Sequence, residues 1–339
     1  MQTCVRIIIS LPAKVAGTDL SSTVAGNNRM KDQISPSPQV PRIAAVTHVR
    51  NDDFFLDLWV RHYGRLIGRQ NCFVILDGDD WTPLADLSGV NVIVLPRPRS
   101  HMNRIRIDRR MQRQQLDVIA RIFDDLGYDY VLKGDCDEYV VPDPVLGTTI
   151  QQAVREADLA GAVYSSGINV LHDTSLEPGL DPLQDVMSQR HFAVLSQSYF
   201  KVNLLARTGY DQGIRTNPGG HRVAGSLPVH ASQSFYMLHL GWCDVPMWQE
   251  RARHRLAFDR GDSFRTYVDH CADLFASLSA SADIAGPLDP AMDQARGELC
   301  FTDGIRVSSA NKFRAGNFFC DGNRDYLVRL DGRFHGCVG

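Results

Sequence analysis

Several absences narrow this sequence before any motif is considered. The eight cysteines contain no C-x-x-C pair, which argues against a structural zinc site of the usual spacing. Four of them, Cys271, Cys300, Cys320 and Cys337, follow residue 270, where disulfides would form if the protein were exported. No apolar run approaches the ~20 residues that a membrane helix needs. Basic charge is not in excess: 36 Lys and Arg stand against 39 Asp and Glu, a net −3. No global field therefore points to nucleic acid or to an anionic membrane. There is no internal repeat. Ile7-Ile8-Ile9-Ser10-Leu11-Pro12, after Arg6, is too short for a secretory h-region, so a cytoplasmic location is expected.

With 44% hydrophobic and 22% charged residues in 339, the chain has ordinary globular composition and length for one large domain or two smaller ones. Residues 1–41 lack a hydrophobic period after the first few positions and read as a flexible leader. Residues 42–284 carry the periodic segments. Residues 285–339 turn Gly- and aromatic-rich and read as a strand- and turn-rich extension.

Ile43 to Val49 is a mostly apolar run suited to a buried parallel strand. Asn51 or Asp52 caps a helix with Phe55, Leu58, Trp59, His62 and Leu66 at helical spacing, ended by Gly68. Strands follow at Cys72–Asp77 and Asn91–Leu95. A long helix opens at Asp108 and ends before Gly127, and Tyr130 to Leu132 is the next strand. This order predicts an α/β fold with a mostly parallel sheet flanked by helices. Beyond it, strands are expected near 161–166, 200–205 and 235–240, and a helix over 246–258.

The chain is organised around Tyr130-Val131-Leu132-Lys133-Gly134-Asp135-Cys136-Asp137-Glu138-Tyr139. An apolar strand runs into three acidic residues, and ligands bind at the carboxyl ends of strands in open α/β sheets. In an extended segment Asp135 and Asp137 would point the same way. Two carboxylates at that edge suit Mg²⁺ or Mn²⁺ bridging to a diphosphate.

Residues 43–141 resemble the family-2-like glycosyltransferases of the GT-A fold. The match is ordered: Val49-Arg50-Asn51-Asp52, the helix with Trp59 and His62, the strand ending at Asp77, a helix bearing Gln112, Gln114 and Gln115, and Asp135-Cys136-Asp137-Glu138-Tyr139. The resemblance implies a Rossmann-like nucleotide-diphospho-sugar transferase fold. It implies that Thr47, Arg50, Asn51 and Asp77 hold the nucleotide and that Asp135 and Asp137 hold the metal. The family's Ser-Asp-Gly turn is replaced here by Gly78-Asp79-Asp80-Trp81.

Sugar transfer requires that the leaving diphosphate be neutralised, the reactants aligned and the acceptor hydroxyl deprotonated. Asp135 and Asp137 would act through the metal. Arg104, Arg106, Arg109 and Arg110 are candidates for the diphosphate because a guanidinium matches phosphate geometry, and Lys133 adjoins the strand end. His239 is a candidate third metal ligand, with His221 its competitor. An inverting enzyme needs a carboxylate base, for which Asp211 and Asp244 are the candidates, whereas a retaining one needs none. The expected partners are a nucleotide-sugar donor and a glycan or lipid-linked acceptor in surface polysaccharide assembly, the latter bringing peripheral membrane association. Two other readings compete. One is a haloacid-dehalogenase-type phosphatase, whose Asp-x-Asp usually lies near the start of its fold and is followed by Thr or Val. The other is a transferase-like domain that binds glycan or nucleotide without turnover.

Overall fold

The computed structural model describes residues 6–8, 40–97, 104–196, 199–216, 218–220, 222–224, 230–258, 285–298, 317–319 and 325–338, with scattered positions between 265 and 278. The first strands are β1 (Arg6–Ile8), β2 (Ile43–Val49), β3 (Cys72–Asp77), β4 (Asn91–Leu95) and β5 (Tyr130–Lys133). Next come β6 (Glu138–Pro142), β7 (Ala162–Leu171), β8 (Phe192–Ser196) and β9 (Lys201–Ala206). The remainder are β10 (Arg215–Thr216), β11 (Arg222–Ala224), β12 (His230–His239), β13 (Gly286–Pro287), β14 (Asn317–Phe319) and β15 (Asp325–Arg329).

Twelve of these strands form one sheet in the order β1-β4-β3-β2-β5-β9-β7-β8-β15-β13, with β12 paired to both β6 and β7. The run β4-β3-β2-β5 is parallel. Beyond β5 the sheet turns largely antiparallel, through β9, β7, β8 and β15. The expected parallel sheet is thus the first half of a mixed one. Every residue of β2 and β3 is buried, as strands covered on both faces require, and so is every residue of β7 and β9 in the antiparallel half. A second, small sheet joins β10, β11 and β14.

Helix α1 (Asp53–Ile67) buries Phe55, Leu56, Leu58, Trp59, Val60, His62 and Tyr63, one apolar stripe of 3.6 period. Helix α2 (Arg104–Asp124) begins one turn before the expected Asp108 and packs on β2 and β5. Short helices α3 (Ile150–Ala153) and α4 (Ala157–Ala160) precede β7, α5 (Arg207–Asp211) follows β9, and α6 (Val245–Phe258) follows β12. Among the described residues, no helix is long and apolar enough to cross a membrane, and the cysteines are thiols.

Two segments differ from the reading above. Arg6–Ile8, within the expected leader, pairs antiparallel with β4. The expected extension joins the main sheet: β15 pairs with β8, an unexpected helix spans Leu288–Glu298, and Val328, Phe334 and Val338 lie in the same core as β2 and α1. His62 on α1 bridges this tail to the centre, with Nδ1 3.1 Å from Cys337 O and Nε2 3.0 Å from Val140 O.

Candidate functional site

Strand direction gathers the polar groups. β2, β3 and β5 run parallel, so Val49, Asp77 and Lys133 end at one edge. β9 is antiparallel to β5, and its first residues Lys201 and Asn203 fall at that same edge. β12 runs parallel to β7, which is antiparallel to β9. Its last residue, His239, therefore arrives there too, opposite Asn169 on β7 and Glu138 on β6. The order β4-β3-β2-β5 puts the third, second, first and fourth strands of the parallel run side by side. A crevice forms at such a switch point outside the strand ends.

The acidic stretch is a turn rather than an extended segment. Glu138 N donates to Asp135 O at 3.1 Å, and Asp135 N donates to Glu138 Oε2 at 3.3 Å. The turn separates the two carboxylates: Asp135 is exposed, whereas Asp137 is buried at 6% exposure. Tyr139 fixes the turn from below, donating to Cys136 O at 2.9 Å and reaching Phe55 O of α1 at 3.2 Å. Beneath it, the Lys201 ammonium pairs with the Glu138 carboxylate, and Asn203 Nδ2 donates to Lys133 O at 3.0 Å. Burial pushes the Glu138 carboxyl up, against the pull of Lys201. Burial likewise pushes the Lys133 ammonium down.

Asp137 and His239 face one another, with His239 Nε2 3.7 Å from Asp137 Oδ2. The imidazole is oriented from behind: its Nδ1 lies 2.9 Å from Asn169 Oδ1. The Asn169 amide is itself fixed by Nδ2 donating to Val194 O at 3.2 Å. Asn169 Oδ1 can only accept, so Nδ1 carries the proton and Nε2 is the nitrogen presented to Asp137. Tyr199 lies against the ring, with centroids 4.7 Å apart and planes tilted by 34°. Gly241 contributes no side chain to the gap, since a Cβ there would stand 2.7 Å from Asp137 Oδ2 and 2.8 Å from His239 Nε2. Arg251 of α6 closes the other side, its Nη2 2.6 Å from Asp137 Oδ2 and its Nε 3.1 Å from Asp52 Oδ2. Burial opposes the charge on Arg251, but Asp137 and Asp52 outweigh it and hold its pKa above the ordinary guanidinium value.

A carboxylate oxygen and an imidazole nitrogen across a gap without a side chain could supply two ligands to a divalent cation. Among the described residues, no three His, Cys, Asp or Glu side chains group as a complete metal-holding set. A cation here would draw its remaining ligands from outside the protein, as ions held by one or two carboxylates and substrate phosphates do.

The nucleotide-side candidates meet at the ends of β2 and β3. Asp77 is buried and ion-paired with Arg110. His48 Nε2 lies 3.4 Å from Gln114 Oε1, and burial lowers its pKa against the pull of Asp77. Thr47 is fully buried within β2, its Oγ1 without a hydrogen-bond partner among the described residues. Arg50 latches the two strand ends together, donating to Asp77 O at 2.5 Å and to both Asp80 oxygens at 2.8 and 2.9 Å. In the Gly78-Asp79-Asp80-Trp81 turn Asp80 serves Arg50, and Gly78, at φ 131°, lacks a Cβ, which would stand 2.0 Å from Arg50 Nη1. Asn51 is exposed at φ 51°. Arg106, Arg109, Arg110, Arg113 and Gln114 line a concavity of about 510 Å³ beside this edge. Arg104 begins α2, but its side chain, like all of His221, lies outside the described residues.

The two candidate bases lie elsewhere. Asp211 is exposed and pairs with Arg207 at 3.0 Å. Arg207 N donates to Asp129 O just before β5 begins, so Asp211 sits at the sheet edge opposite to Asp135. Asp244 is buried and committed: Oδ1 caps α6 by accepting Met247 N at 2.9 Å, and Oδ2 accepts Leu180 N at 3.0 Å. Arg190, with a fully buried side chain, lies 3.6 Å from Asp244 and 4.0 Å from Glu177. Arg251, which sequence reasoning did not single out, was signalled only by the arginine density of α6.

Comparison with known proteins adds little. No protein-family model matches the chain, and no curated protein matches it. Among solved structures, mannose-1-phosphate geranyltransferase from Thermus thermophilus is similar at 11% identity with a TM-score of 0.22. The alignment covers 69% of this chain and 64% of that one, under two thirds of its length. At that level of superposition the likeness bears on neither fold nor function.

Proposed function

We propose that this chain is a metal-dependent glycosyltransferase of the GT-A type, moving a sugar from a nucleoside-diphosphate donor to a glycan or lipid-linked acceptor. One observation carries the reading: the switch-point edge that receives the ends of β2, β3 and β5 also receives Asp77, Asp135, Asp137 and, from the antiparallel half, His239. Nucleotide ligands bind at such an edge. Asp137 and His239 would hold Mn²⁺ or Mg²⁺, and that ion when bound would neutralise the leaving diphosphate. The protein's own part is positional. The Glu138–Lys201 pair and Tyr139 hold the turn, Asn169 sets the His239 tautomer, and Arg110 and Arg50 fix the Asp77 strand end. Asp211 and Asp244 are not part of this proposal, because one faces the opposite edge and the other is bound into the core.

The test is release of nucleoside diphosphate from a panel of UDP-, GDP- and CDP-sugars with Mn²⁺, in wild type and in Asp137→Asn. Release from one donor class that falls at least ~100-fold in the variant supports the reading, in line with the loss of a charge-stabilising group. Release that is unchanged in Asp137→Asn sinks it. Binding of a nucleotide with no release from any donor would favour the domain that binds without turnover.

A further inference from the structure

Arg251 lies within ion-pair distance of both Asp137 and Asp52. It joins three segments that meet at the crevice: the 135–138 turn, the start of α1 and helix α6. Its guanidinium lies over the Phe55 ring, 4.7 Å from the centroid, which fixes its plane. The guanidinium of the pair, unlike that of Arg190, is not sealed into the core, although Asp137 itself is buried. The Arg251 side chain is 21% exposed, the Arg190 side chain 0%. A partly open guanidinium on a carboxylate can be exchanged for another cation, and a divalent ion on Asp137 Oδ2 would stand within a few ångströms of it and repel it. Once released, a planar fork at this edge has the geometry to engage two phosphate oxygens.

We infer that Arg251 is the resident counter-ion of Asp137 in the donor-free protein and becomes a diphosphate-binding residue when a divalent cation takes that carboxylate. The second half rests on the nucleotide-sugar reading above. The first does not.

Two titrations separate these halves. In the first, Mn²⁺ alone is titrated into wild type and Arg251→Met, with calorimetry and thermal midpoint as readouts. Removing the competing cation tightens Mn²⁺ binding on the order of 10-fold, and Mn²⁺ raises the midpoint of the variant more than that of wild type. Equal or weaker Mn²⁺ binding by the variant overturns the counter-ion role. In the second, pyrophosphate, UDP and GDP are titrated at saturating Mn²⁺. Affinity roughly 10- to 100-fold lower in Arg251→Met is expected, and equal affinity overturns the diphosphate role. Should Arg251→Met fail to fold, Arg251→Lys keeps the charge without the fork. It is expected to bind Mn²⁺ as wild type does and diphosphates about 10-fold more weakly, and undiminished diphosphate affinity again overturns the inference. Arg251-dependent binding of pyrophosphate by a protein that takes no nucleoside diphosphate would refute the nucleotide-sugar reading while leaving Arg251 as assigned.

Discussion

His239 presents Nε2 to Asp137 Oδ2 across 3.7 Å, and Gly241 leaves that gap without a side chain. A methyl group added at Gly241 would sit within 2.8 Å of both partners, closer than real Cβ contacts allow. Gly241→Ala is therefore expected to weaken Mn²⁺ binding at least about 10-fold, by displacing one donor from the other. Calorimetric titration of Mn²⁺ checks this, and undiminished affinity would show that the gap is not where the ion goes.

The two aspartates read from sequence as bases should behave oppositely. Asp244→Asn leaves the buried Arg190 without its nearest carboxylate charge and is expected to cost about 3–5 kcal/mol, as breaking a buried pair does. Asp211→Asn, at an exposed pair, should stay within about 0.5 kcal/mol. Denaturant unfolding reads both. Transfer activity per folded molecule should persist in each. An Asp244→Asn protein of wild-type stability but without turnover would restore Asp244 as the base.

His62 supplies one resolvable part of the pH dependence of stability. Burial pushes its pKa down to about 4, against the two carbonyl oxygens that favour the protonated ring. The unfolded ring titrates near 6.5, so between about 6.5 and 4 the unfolded chain binds more protons than the folded one. The His62 contribution to stability then rises with pH across that window and is lost as pH falls through it. Unfolding free energy measured from pH 4 to 7 in wild type and His62→Gln tests this, because the variant lacks the His62 contribution to the slope. Identical slopes would assign the acid sensitivity to other groups.

The parallel half was legible because its signals are local. The apolar runs of β2 and β3, Gly68 after α1 and the acidic residues after β5 each announce themselves within a few positions. The separation of Asp135 from Asp137 was not legible. Their spacing suits one face of a strand, and only the Asp135–Glu138 turn, fixed by Tyr139 against α1, places one in solvent and the other in the floor. The fate of Asp244 depended on Arg190 and Leu180, distant in sequence. Arg251 meets Asp137 across 114 positions, a pairing that no window on a single chain displays. Strand β8 follows a polar, proline-bearing stretch, and its partner β15 comes from the last residues described. Long-range pairing built what local pattern did not announce.

On the proposed function, Asp137 belongs to a cation-assisted nucleoside-diphosphate site. Its most direct test is thermal stabilisation by UDP, GDP, CDP and CMP, each with and without Mn²⁺, in wild type and Asp137→Asn. A ligand that binds only the folded state stabilises it by mass action, by about 2.7 kcal/mol at 100 times its Kd, and so raises the midpoint. A shift with one diphosphate that requires Mn²⁺ and disappears in Asp137→Asn is expected. The same shift without Mn²⁺, or undiminished in the variant, would contradict the proposed function.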